Sequence, residues 1–223
     1  MDYVINEALE LNLHVVLLPT WGDKINKMPY GQGPEIFDMH NAKTYGKWIG
    51  KRYRDYPNII WVLGGDRPLY RPRHHEVIKA MAQGIKEGDE GRHLVSFHPP
   101  GKSSSSKHNH EEIWLDFNML QSSHSVLDMP NYDMVAGDLC QIPLKPTLDS
   151  EPCYEDHPTN FNPENGYFDD VNIRKAAYWS VFAGACGHTY GHHCVWSMCT
   201  EPTAYFLMTW KDALSRPGAV QMK

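Results

Sequence analysis

No two cysteines in the sequence stand at CxxC spacing, and the five present (Cys140, Cys153, Cys186, Cys194 and Cys199) are an odd number. That argues against a disulfide framework or a zinc ribbon and for reduced thiols. No apolar run approaches the roughly 18 residues of a membrane span. The excess of one charge sign over the other is small too. The formal charge of −6 at pH 7 is mild acidity and gives no footprint for nucleic acid or an anionic membrane. A phosphate-cradling fingerprint is missing, because Gly64-Gly65-Asp66 is too short and Gly31-Gln32-Gly33-Pro34 does not follow a strand pattern. Met1 is followed by the amphipathic DYVINEALELNL and not by a charged-then-apolar leader, which leaves the compartment open between cytoplasmic and exported. There is no internal repeat, and the tract KSSSSKHNH reads as a polar loop.

What is there is ordinary in bulk. The 223 residues are 41% hydrophobic and 22% charged, enough for one domain with a sizeable core, so residues 1–223 are expected to form a single domain. Aromatics reach 12%, with seven Trp, which serve as core filler or as stacking platforms for sugar rings. Short β-like runs (Leu13–Pro19, Asn58–Gly65, His93–Pro100, Asp116–Ser123, Lys145–Pro152 and Gly187–Trp196) alternate with segments of helical period. In one of these, Tyr45, Trp48, Ile49 and Tyr53 share a face, with Asn41 as the expected cap. In a second, Val77, Ile78, Met81 and Ile85 form the stripe. In a third, capped by Asp169 or Asp170, Ile173, Ala177, Val181 and Ala185 do so.

Strand–helix alternation with continuous apolar strands predicts an α/β fold with a parallel sheet covered by helices. Polar and aromatic residues close every strand: Trp21 and Asp23; Asp66 and Arg67; His98; Gln121 and His124; Asp149 and Glu151; His188, His192 and Trp196. A barrel gathers all such ends on one face, whereas an open sheet gathers two or three, so a (β/α)8 TIM barrel is expected. Six strands are counted where a barrel needs eight. The expectation is therefore an incomplete barrel whose first two strands are missing from this chain, with TWKDALSRPGAVQMK opening a last helix.

Asp66 ends the apolar run NIIWVLGGD, and Glu151 ends PTLDSE. Two carboxylates facing each other at a barrel mouth, one protonated and one ionised, are the machinery of glycoside hydrolysis. The plainer alternative makes Asp66 a helix cap and Glu151 a structural partner of Arg67. The run GHTYGHH supplies His188, His192 and His193, which together with Asp66 could hold a divalent metal that activates water. They serve equally as hydrogen-bond donors to sugar hydroxyls or as structural residues. Trp21, Tyr154 and Trp196 stand between stacking platform and rim packing.

The stretches VVLLPTWGDK, GPEIFDMHNAKTYGKWIGKRYRDYPNIIWVLGGDRP, GRHLVSFHPPGKSSS, WLDFNMLQSSH, KPTLDSEPCYEDHP and RKAAYWSVFAGACGHTYGHHCVW resemble the apiosidase-like barrel family of glycoside hydrolases, across essentially the whole chain. The resemblance implies a TIM barrel, a carbohydrate substrate (in the characterised activity, apiose released from a pectic side chain) and no cofactor or metal. It implies Asp66 of the GGD motif as general acid/base and Glu151 of the DSEP motif as nucleophile, in a retaining mechanism. Trp21, Asp23, Arg67, His98, Gln121, His124, Asp149, Tyr154, His188, His192 and Trp196 are the expected substrate-binding residues. No nucleic-acid or membrane partner is implied, and the oligomeric state is left open. A non-catalytic carbohydrate-binding relic is the further alternative. Family members carry a stretch before this Met1 that supplies two strands, and often a small β-sandwich domain after the barrel.

Overall fold

The computed structural model describes residues 1–29 and 31–222. The chain divides into two compact units, one of residues 1–100 and 105–118, the other of residues 101–104 and those from Met119 on. Both are α/β in composition, and among the described residues the strands fall into a three-stranded and a four-stranded sheet.

The first unit opens on α1 (Asp2–Glu10) and then alternates: β1 (Val15–Leu17), α2 (Met39–Tyr53), β2 (Ile59–Gly64), α3 (Pro72–Gly88) and β3 (Val95–His98). The three strands are parallel, with β2 in the centre and Trp61 facing Leu17 on one side and Val95 on the other. β2 is apolar along its length because both its faces are covered. α2 is capped by Asp38, not by Asn41 as expected. Asp38 accepts from Asn41 N, and Asn41 Oδ1 accepts from Asp38 N, so both residues serve one reciprocal cap. Pro72 at the first turn of α3 sets the backbone without losing a bond. The stripe Val77, Ile78, Met81 and Ile85 is buried. On α2, Ile49 and Tyr53 are buried but Trp48 lies outward, 57% exposed and stacked on Tyr45. Glycines bring α2 and α3 unusually close: a Cβ at Gly46 would stand 2.4 Å from Met81 O, and one at Gly84 would stand 2.2 Å from Lys43 O.

The second unit pairs β4 (Ser103–Ser104) antiparallel with β5 (Asn118–Gln121); the one-turn α4 (Ser106–Asn109) between them belongs to the first unit. α5 (Asn131–Leu139), β6 (Thr147–Asp149), α6 (Asp170–Phe182) and β7 (Gly187–His188) follow, with β6 and β7 parallel. α6 is capped by Asp169, one of the two residues expected there, and Asp170 is its first helical residue. Its expected inner face holds only at Ile173, whereas Val181 and Phe182 are exposed. The strand expected to run to Trp196 stops at His188. The His192 imidazole accepts from Cys194 N and starts α7 (His193–Trp196) instead. The tail forms two short helices, α8 (Trp210–Ala213) and α9 (Pro217–Gln221), separated before Pro217. All five cysteines are free thiols. Among the described residues no helix is long and apolar enough to cross a membrane.

Candidate active-site residues

In the first unit the backbone after β2 turns through three consecutive left-handed residues: Gly64 (φ 86), Gly65 (φ 107) and Asp66 (φ 52). Asp66 does not cap the next helix, since α3 is preceded by Arg71. The turn instead swings its carboxylate beside His98 at the end of β3, with Nδ1 of the imidazole 3.9 Å from Oδ1. His98 donates from that nitrogen to Pro99 O at 3.0 Å. Trp21 packs over the turn. A Cβ at Gly65 would meet its ring at 2.8 Å, and the ring centroid lies 6.4 Å from that of His98. Arg67 bonds the Asp66 carbonyl, and Asp23, buried nearby in sequence, pairs with Lys24. Trp21, Asp66, Arg67 and His98 thus come together at one strand end, and glycine at 22 leaves room for Arg67.

In the second unit Glu151 stands two residues past β6, as Asp66 stands two past β2. Its backbone carbonyl accepts from Ser123 N, and its Oε1 lies 3.1 Å from His124 Nε2. The His124 ring is packed by Tyr154 at 4.4 Å and by His157 at 4.2 Å, nearly parallel to the latter. Asp149 is wholly buried and accepts from Ser122 and Asn131. Burial pushes its carboxyl up to about 6, and the charge of Glu151 adds to the effect. His188 is its neighbour across β6 and β7, and burial lowers that imidazole to about 4. Gln121 is buried at the end of β5, and Trp196 is largely exposed beside His193.

The three histidines of GHTYGHH take separate places. Both nitrogens of His192 are engaged, one by Asp156 at 3.0 Å and the other by Cys194 N. His193 lies among His157, Tyr205 and Phe206, and His188 stays on β7. Among the described residues these three do not form one ligand set.

The sequence reading missed His157 and the buried acids Glu155 and Asp156. Glu155 accepts from Tyr190 and from Gly218 N, and Asp156 pairs with His192 and Arg216. The available signal was the run YEDHP, which begins at Tyr154 three residues after Glu151 and sets two adjacent acids beside a histidine.

Carboxylates at the strand ends of an α/β chain stand where α/β enzymes commonly place their chemistry. The model of the apiosidase-like catalytic domain family matches residues 1–223, and the chain belongs to that family. It is similar to a solved structure described as a glycoside hydrolase, at 35% identity and TM-score 0.89, and to one described as a glycoside hydrolase family 5 protein from Bacteroides vulgatus, at 36% and 0.88. A third, also from Bacteroides vulgatus, covers 93% of the chain and 37% of its own at 16% identity and TM-score 0.63, and bears on the fold alone. The chain is covered completely by the first two and spans 52% and 50% of their lengths, about half. No curated protein matches.

Proposed function

We propose that the chain is the catalytic part of a retaining glycosidase of (β/α) barrel type, acting on an apiose-type glycoside of a plant polysaccharide or oligosaccharide. Asp66 serves as acid and then base, and Glu151 as nucleophile. The observation that carries this reading is the matched placement of the two carboxylates, each two residues past the C-terminal end of a strand with a parallel neighbour. Strand C-termini are where α/β enzymes place their chemistry. In the first step Asp66 protonates the leaving oxygen while Glu151 attacks the anomeric carbon. In the second, Asp66 takes a proton from water, which displaces Glu151 with overall retention.

Glu151→Gln is expected to abolish turnover with the fold intact, and surviving turnover would remove the nucleophile assignment. Asp66→Asn should slow poor leaving groups far more than activated aryl glycosides, which need little protonation; equal losses would count against the acid role. The anomer first released, followed by proton NMR, should match that of the substrate. A chelator should leave the rate unchanged, in contrast to a metal-dependent hydrolase.

A further inference from the structure

Glu151 Oε1 and His124 Nε2 are 3.1 Å apart. A carboxylate only accepts, so the shared proton belongs to the imidazole. The other nitrogen, Nδ1, is buried with no hydrogen-bond partner. A proton there would be an unpaired donor away from water, which folded proteins avoid. The ring is also fixed from the sides. His157 stacks on it at 4.2 Å and 24°, Tyr154 leans on it at 4.4 Å, and Phe161 meets it edge-on at 5.9 Å. His157 is itself held by His193 at 4.4 Å, and His193 by Phe206 at 4.5 Å. The backbone carbonyl of His124 is tied by Asn160 N at 2.7 Å.

We infer that His124 is a positioning residue for the nucleophile, a preset donor whose Nε2–H holds Glu151 Oε1 and whose plane is set by the row of rings behind it. This rests on the assignment of Glu151 proposed above. The row suits the task because it brings no competing cation: burial, with the neighbouring imidazoles adding, lowers His157 to about 3 and His193 to about 4. The charged and titratable groups around the pair in this unit are Asp149, Tyr154, His157 and His193. A donor to the carboxylate favours its ionised form, the one that attacks, and fixes the oxygen that does not.

The test compares His124→Phe, which keeps a flat ring in the stack and has no donor, with His124→Gln, whose amide donates from a similar place. On a nitrophenyl apioside the Phe variant should lose about 10²-fold in kcat with little change in KM, and the Gln variant should recover much of it. The acid limb of the pH–rate profile should move upward in the Phe variant alone. Equal losses in both variants, or the reverse order, would reduce His124 to ring packing and overturn the inference. A second readout needs no turnover. Two-bond 15N–1H correlation of the wild-type imidazoles should show His124, identified by its missing signal in the Gln variant, as the Nε2–H tautomer; an Nδ1–H tautomer overturns it. Glu151→Ala measured with and without azide separates the two claims. Full turnover in that variant would remove the nucleophile, whereas the tautomer reports on His124 alone.

Discussion

The two units solve the problem of an interior in different ways. In the first, one apolar cluster runs from Ile5 to Leu115 and takes in the inner faces of α2, α3 and all three strands. In the second, the apolar clusters are small, Cys153–Phe168–Ile173 and Cys194–Cys199–Ala213, and much of the remaining interior is polar: Asp149, Glu155, Asp156, His157, His192 and His193. The first is held by area removed from water, which tolerates exchange of similar shapes. The second is held by matched donors and acceptors, where losing one partner strands another. Three substitutions and one pH experiment break this comparison if it is wrong.

The largest effect is expected at Arg216. Its guanidinium lies 2.7 Å from Asp156 and 3.9 Å from Glu155, and Glu155 is fully buried. Arg216→Met leaves two buried acids short of a cation and should destabilise the second unit by about 3–5 kcal/mol, read from urea unfolding. A neutral or stabilising result would mean that apolar packing, not charge, holds that unit. In the first unit Met81→Ala opens a cavity in a fully buried site and should lose about 2–5 kcal/mol. Gly84→Ala should lose less, about 1–3 kcal/mol, because its new Cβ presses on Lys43 O at 2.2 Å and the helices must part. If Gly84→Ala were stabilising through helix propensity alone, the close approach of α2 and α3 would not be as described.

The same contrast explains what could be read in advance. β2, α3 and β3 were legible because apolar period and burial coincide there, as at Val77, Ile78, Met81 and Ile85. α5 was not legible: NYDMVAGDL buries Asn131 and Asp138 along with Val135, so its inner face carries no apolar stripe. The register of the α2 cap slipped by three residues because Asp38 and Asn41 are both good caps and their reciprocity appears only in three dimensions. The expected strand to Trp196 failed because His192 caps through its own side chain. Of the candidate residues, the strand-end motifs named Asp66 and Glu151, and the sequence also named His124. It could not show that His124 meets Glu151, nor that His157 lies beneath it, since pairing across 27 residues leaves no periodic trace.

The smallest effect is also the sharpest, because His93 in the first unit and the buried imidazoles of the second should answer pH with opposite signs. In the first unit His93 Nδ1 faces Asp89 at 3.0 Å and Nε2 faces the Tyr56 carbonyl at 2.7 Å, so both nitrogens donate and the ring is an imidazolium. The bond to Asp89 raises its pKa against burial and the opposing charge of Lys86. A raised folded value means that stability is fully present below the unfolded pKa, about 6.5, and is lost as pH climbs through the folded one. In the second unit His157 falls to about 3, and His188 and His193 to about 4, chiefly through burial. The unfolded chain binds protons below about 6.5 where these rings refuse them, so stability is present above that pH and lost on the way down. Asp149, raised to about 6, takes up a proton over part of the same interval and offsets some of the loss. Burial also lowers His74 and His108 in the first unit, so the His93 contribution is read as the difference in β2 amide protection between wild type and His93→Gln, which should shrink above about pH 6.5, while protection on β6 should fade below it. If both faded in the same direction, the buried imidazoles would not carry the charges that their partners assign to them.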